Sequence, residues 1–222
     1  MSYKTVCVAG GGVLGSQIAF QAAYCGFDVT IWLRSEGSIG RTQPKIDHVR
    51  EEYIAAIEGM EDGTGEWCAG IADSDRPFDK EVALAAVERA YFTLKLELDL
   101  AKAVADADLV IESMAEDTQA KIDFYKKLAP VLPQKTVVVT NSSTLLPSTF
   151  AKYTGRPEKY LSLHFANSIW KNNMTEVMAQ GQTDKRYFDE LVDFANDIRM
   201  LALPVNKEKN GYLLNSMLVP WL

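Results

Sequence analysis

Cysteine and histidine are scarce in this chain, with three of the first and two of the second in 222 residues. Cys7, Cys25 and Cys68 are odd in number and show no C-x-x-C spacing, which argues against a disulfide framework and against a zinc or other metal site. Cys7 and Cys25 read instead as small buried hydrophobes. No apolar run approaches membrane-spanning length, so no membrane partner is expected. Basic charge is not in excess: the net charge of −7 argues against nucleic acid or an anionic membrane surface as partner, while permitting a local basic pocket for an anionic substrate. Internal repeats and low-complexity segments are absent. The N-terminus runs straight into a strand with no charged, apolar, cleavable leader, so the cytoplasm is the expected location. What is present is 47% hydrophobic residues, enough to bury a core in one large or two small domains.

The most informative segment is Lys4 to Gly15, an apolar strand that enters G-x-G-x-x-G at Gly10, Gly12 and Gly15. A strand, a tight glycine turn and a helix N-terminus, in that order, build a pocket for a dinucleotide pyrophosphate. Gly10 is expected to permit the turn, Gly12 to let backbone approach the phosphates, and Gly15 to let helix pack on strand. Unpaired N–H groups at Val13, Leu14 and Gly15 would then face the anion.

Beyond it, strand-like and helix-like segments alternate. Strands are expected at 29–33, 91–96, 109–113, 136–140, 160–165, 175–178 and 199–205, and helices at 43–56, 77–90 and 118–128. The fold class is therefore α/β, a Rossmann-type doubly wound and mostly parallel sheet, with the helical pair after strand 2 read as an insertion.

The end of the second strand normally selects the cofactor, because a carboxylate there binds the ribose hydroxyls of NAD and repels a 2′-phosphate. The expected acidic position falls on Leu33, followed by Arg34 and Ser35. A guanidinium and a hydroxyl suit a 2′-phosphate, so the residues favour NADP over NAD, with Arg41 as a second phosphate contact. NAD bound without its usual acid is the alternative.

Of the two histidines, His48 lies in a polar helical stretch and reads as a solvated surface residue. His164 ends a strand, and Glu176 follows twelve residues later in another strand-like segment. An imidazole with a carboxylate on its far nitrogen has a fixed tautomer, which suits removal of an alcohol proton during hydride transfer. Asn141, Ser142 and Ser143 place polar groups at a further strand end.

These residues resemble the 3-hydroxyacyl-CoA dehydrogenase family, its 3-hydroxybutyryl-CoA branch included. Five blocks agree in order: the glycine turn, Ala107–Glu112 with Glu116 and Lys121, Thr140–Ser143, His164–Asn167, and Leu214–Asn215 with Val219–Pro220. The resemblance implies interconversion of a 3-hydroxyacyl-CoA and a 3-oxoacyl-CoA, in fatty acid metabolism, with hydride passing to or from a nicotinamide cofactor. It implies His164 as general base, Glu176 as its orienting carboxylate, Ser143 and Asn215 as holders of the substrate oxygen, and Glu116, Lys121 and Asn141 on the cofactor side. It implies a dinucleotide-binding domain at 1–206, the start of a helical C-terminal domain at 207–222, an acyl-CoA partner near the inserted helical pair, and a homodimer in full-length members. Two departures bear on this: the missing acid at Leu33, and Ser168-Ile169-Trp170-Lys171 where the family commonly has proline soon after the His-Phe-x-Asn block. Alternatives are an NAD(P)-dependent dehydrogenase of a free hydroxy acid and an inactive cofactor-binding module.

Overall fold

The structure, a computed structural model, describes residues 3–209 and 211. Strand β1 (Thr5–Ala9), helix α1 (Val13–Tyr24) and β2 (Asp28–Trp32) follow the opening apolar run, glycine turn and second β-branched run. Helix α2 spans Glu36–Asp62, beyond both ends of the expected 43–56. Gly37, Gly40 and Pro44 oppose helix locally. Thr42, Ile46, Val49, Tyr53, Ile57 and Met60, however, recur every three or four residues and are all buried, and burial of that face overrides local preference. Pro44 cannot donate to the Gly40 carbonyl, but Gly40 is exposed and water can satisfy it.

Helix α3 (Lys80–Thr93) starts at Asp79, whose carboxylate accepts from the Val82 N–H at 3.0 Å. Residues 91–93, expected to open a strand, complete this helix instead, because its buried stripe of Ala83, Val87 and Ala90 packs on α2. Strand β3 is only Lys95–Glu97. There follow α4 (Leu100–Val104), β4 (Leu109–Glu112), α5 (Thr118–Leu128), β5 (Val137–Thr140), β6 (Tyr160–Phe165), β7 (Met174–Met178), α6 (Lys185–Asp197) and β8 (Leu201–Val205). Helices α4 and α6 have no counterpart in the sequence reading. The Asp184 cap and the buried residues Phe188, Leu191, Phe194 and Ala195 are the signal that identifies α6.

The eight strands form one sheet in the order β3-β2-β1-β4-β5-β6-β7-β8, parallel except where β6 meets β7. Alternate residues face opposite sides. Val6, Val8, Val29, Ile31, Leu109, Ile111, Val137 and Val139 meet α1, α2, α3 and α6, whereas Cys7, Ala9, Val110 and Val138 meet α4 and α5. The strand order reverses direction between β1 and β4, which opens a crevice at their C-terminal ends. No helix among the described residues is long and apolar enough to cross a membrane. The proposed boundary at 206 follows β8, and most of 207–222, Asn215 included, lies outside the described residues.

Candidate functional site

At the end of β1, Gly10 has φ +121°, and a Cβ there would stand 2.5 Å from the Ser113 carbonyl oxygen. A Cβ on Gly15 would meet the Gly10 carbonyl oxygen at 2.1 Å, so α1 approaches the turn as closely as backbone allows. Gly12 differs: a Cβ there meets nothing within 4 Å and would project into open space. The first α1 bond runs from the Ser16 N–H to the Gly12 carbonyl, so the N–H groups of Val13, Leu14 and Gly15 precede the helical ladder. All three residues line the cleft beside Gly12. An open approach at Gly12 beside helix N–H groups that have no partner among the described residues fits a dinucleotide pyrophosphate.

Two connected cavities extend from this turn, sharing Gly12 and 113–115. The first, of about 300 Å³, is walled by Trp32, Leu33, Arg34, Ser38, Arg41, Thr42 and Lys45. Among the described residues lining it there is no carboxylate and there are three cations. Leu33 is buried, and its N–H donates to the Glu97 carbonyl at 2.9 Å. Arg34 and Arg41 are exposed at the rim, and Arg41 donates to the Ser38 hydroxyl at 3.0 Å. Ser35 stands outside this wall, its hydroxyl 3.0 Å from that of Ser38. Ser38 and Lys45 are absent from the sequence reading. Lys45 lies one helical turn beyond Arg41 on α2, a spacing hidden while the helix was expected to begin at Gln43.

The second cavity, of about 660 Å³, is lined by Glu116, Asn141, Ser143, His164 and Asn167. Strands β6 and β7 pair antiparallel with His164 directly opposite Glu176, and the imidazole Nδ1 lies 2.9 Å from Glu176 Oε2. Glu176 is fully buried and His164 is 7% exposed, so the pair is held in a low-dielectric wall that opens on the cleft. Asn141 ties three strand ends together. Its backbone N–H donates to Glu112, its Oδ1 accepts from the Phe165 N–H at 3.0 Å, and its Nδ2 donates to Ser113 Oγ at 3.3 Å.

Glu116 accepts from the Ser142 hydroxyl at 2.8 Å, the Ser143 N–H at 2.6 Å and the Ser143 hydroxyl at 3.2 Å. Partial burial, the largest single influence, pushes its pKa up. The Ser142 and Ser143 hydrogen bonds and the charge on Lys121 together outweigh it and hold Glu116 below the usual glutamate value. Lys121 lines neither cavity. Its ammonium is buried, 2.6 Å from Glu112 and 3.7 Å from Glu116. Glu112 also accepts from Met114 N–H, Tyr125 and Thr140, so this buried carboxylate braces the strand ends from below. An acid closing the apolar run Leu109-Val110-Ile111 is the sequence signal for it.

His48 is exposed on α2, 4.0 Å from Glu52. Trp170 is buried, its ring tilted against that of Tyr53 with centroids 5.2 Å apart, while Lys171 is exposed.

Fold, glycine turn and crevice define a dinucleotide-binding domain of the oxidoreductase type. The profile of the 3-hydroxyacyl-CoA dehydrogenase NAD-binding domain matches residues 5–209, and the chain belongs to that family. It is 28% identical over 220 residues to the mitochondrial hydroxyacyl-coenzyme A dehydrogenase of Homo sapiens, covering 99% of this chain and 64% of the human one. Against the 3-hydroxybutyryl-CoA dehydrogenase of Clostridioides difficile it is 26% identical over 217 residues, with 98% and 68% covered. A solved diketoreductase, described as acting on dicarbonyl compounds, is 40% identical with a TM-score of 0.83, covering 99% of this chain and 70% of that one. The chain thus spans a little under two thirds of the human relative's length.

Proposed function

We propose that this chain carries the cofactor and catalytic half of a dehydrogenase that interconverts a 3-hydroxyacyl-CoA and a 3-oxoacyl-CoA. The observation that supports this most is the His164–Glu176 pair, 2.9 Å apart, with His164 at a strand end facing the same cleft as Ser143 and Glu176 buried behind it. A bound nicotinamide dinucleotide supplies the hydride acceptor or donor. Glu176 holds Nδ1 of His164, so Nε2 is the nitrogen that takes the 3-hydroxyl proton in oxidation and returns it to the carbonyl oxygen in reduction. Ser143, with Asn215 as the resemblance implies, steadies that oxygen as negative charge develops on it. The test is oxidation of NADH and of NADPH in the presence of acetoacetyl-CoA. Turnover supports the reading, and silence with both cofactors bound counts against it.

A second reading, reduction of a free dicarbonyl compound without CoA, is supported by the 40% identity to the diketoreductase, against 28% for the human CoA enzyme. An acetoacetate ester assayed beside acetoacetyl-CoA separates the two, because only a CoA enzyme needs the nucleotide handle for a low KM.

The cofactor is read as NADP. The support is the cationic wall of Arg34, Arg41 and Lys45, the Ser38 hydroxyl, and Leu33 in place of the acid that would repel a 2′-phosphate. Changing Leu33→Asp together with Arg34→Ala is expected to move the preference ratio from NADPH toward NADH. An unchanged ratio removes Arg34 from the site.

A further inference from the structure

Ser168 has φ +55°, a left-handed backbone that non-glycine residues seldom adopt. It follows Asn167, which lines the substrate end of the cleft beside His164. Among the described residues, one hydrogen bond ties this strained residue to the body of the domain: the Ser168 N–H donates to Gln17 Oε1 at 2.8 Å. Gln17 is a largely buried amide on α1, the same helix whose N-terminus faces the dinucleotide turn. The turn around Ser168 is closed on itself, and Ile169 and Trp170 behind it are buried. The Ser168 carbonyl accepts from the Lys171 and Asn172 N–H groups at 2.9 Å each, and the Asn172 amide donates to the Asn167 carbonyl at 2.8 Å. Its far side is anchored where the Gly70 N–H donates to the Trp170 carbonyl at 3.1 Å.

We propose that Gln17 is a positioning residue for the substrate wall: by capturing the Ser168 N–H it holds the left-handed turn that directs Asn167 into the cleft. A proline at 168 could adopt neither that φ nor that bond, since its ring fixes φ near −65° and it has no N–H. The course of this wall therefore depends on a donor at 168 and an acceptor at 17. Because the acceptor sits on the phosphate-facing helix, this amide links the cofactor turn to the cleft end of the substrate wall, while Ile169 and Trp170 pack the rest of the loop into the core. This assignment rests on the proposed carbonyl reduction for its kinetic readout.

The test compares the full-length enzyme with Q17M, which keeps shape and loses the acceptor, and Q17E, which keeps an acceptor oxygen. Expected for Q17M is a rise of about tenfold in KM for the carbonyl substrate, with NAD(P)H affinity within about twofold of the parent. Amide hydrogen exchange should quicken in peptides covering 165–173 alone, and Q17E should restore most of both effects. Equal losses in substrate KM, cofactor affinity and exchange throughout the domain would overturn the proposal, as would an unaltered loop or a Q17M protein that does not fold. If the parent turns over neither substrate, the proposed reaction fails separately. Exchange and cofactor titration then decide Gln17: faster loop exchange at unchanged affinity upholds it, and any other pattern overturns it.

Discussion

His164 owes its placement to one rung of the sheet, where it faces Glu176 across β6 and β7. Replacing it with glutamine should lower kcat by about 10²- to 10⁴-fold, the usual worth of a positioned general base, and leave cofactor affinity within about twofold. Loss of cofactor binding in that variant would mean His164 is structural. Glu176→Gln keeps a hydrogen-bonding group but removes the charge that stabilises the imidazolium, and should cost about tenfold to a hundredfold in kcat with little change in KM. Cys7 shows the opposite use of burial. Desolvation in β1 pushes its thiol up to about 12, despite the hydrogen bond to the Trp32 backbone. In the native protein it should resist iodoacetamide at pH 8 and react only on unfolding, since the thiolate is the nucleophile. Mass spectrometry of peptides after timed alkylation checks this.

Among the elements, α1 has the least tolerance, because Gly15 meets the Gly10 carbonyl where a Cβ would lie at 2.1 Å. Gly15→Ala should destabilise by about 1–3 kcal/mol and weaken NAD(P)H binding as the turn shifts, read by thermal melts and cofactor titration. Legibility in the sequence follows the same logic. The glycine turn, the buried strands and the His164–Glu176 pair are readable because each is specified by local chemistry or by a run of one residue class. Helix α2 is readable only in its middle: Gly37 and Gly40 advertise a loop and Pro44 a helix start, and the extension to Glu36 exists through tertiary burial of Thr42, Ile46 and Val49. That error concealed Lys45, whose place in the cationic cavity depends on its helical position after Arg41. Residues 91–93 misled in the opposite sense, since aromatic and β-branched residues favour strand until Ala90 and Val87 are buried against α2. Gln17 was invisible because nothing local relates it to Ser168, 151 residues away.

For the whole molecule, the acidic chain with a cationic cavity separates long-range from local electrostatics. Raising salt toward molar concentration should weaken NADPH more than NADH, because an exposed phosphate–guanidinium contact is screened within about 3 Å at that strength. Equal salt responses would indicate that the Arg34 wall does not meet a phosphate. At the opposite end of the central strands, where β1 and β4 begin, Asp108 accepts from the Lys4 and Thr5 N–H groups at 2.8 and 3.0 Å and pairs with Lys135 at 2.6 Å. Partial burial raises its pKa, but Lys135 and the two amides outweigh that and leave it lowered. A carboxyl lowered on folding stabilises the native state above the ordinary aspartate range, and that contribution vanishes as pH falls through its folded value. Asp108→Asn should therefore flatten the acid limb of the melting temperature against pH. The antiparallel β6–β7 pairing has one more consequence, for how such a site can diversify. His164 and Glu176 share one rung of the ladder, while Ala166 and Asn167 beyond it line the cavity, so the exposed part of the intervening loop can change provided the register and the buried Ile169 and Trp170 survive. A slip of one residue would turn Glu176 to the far face of the sheet. On the proposed function, the chemistry rests on strand pairing and the substrate range on the loop, two parts that selection can edit separately.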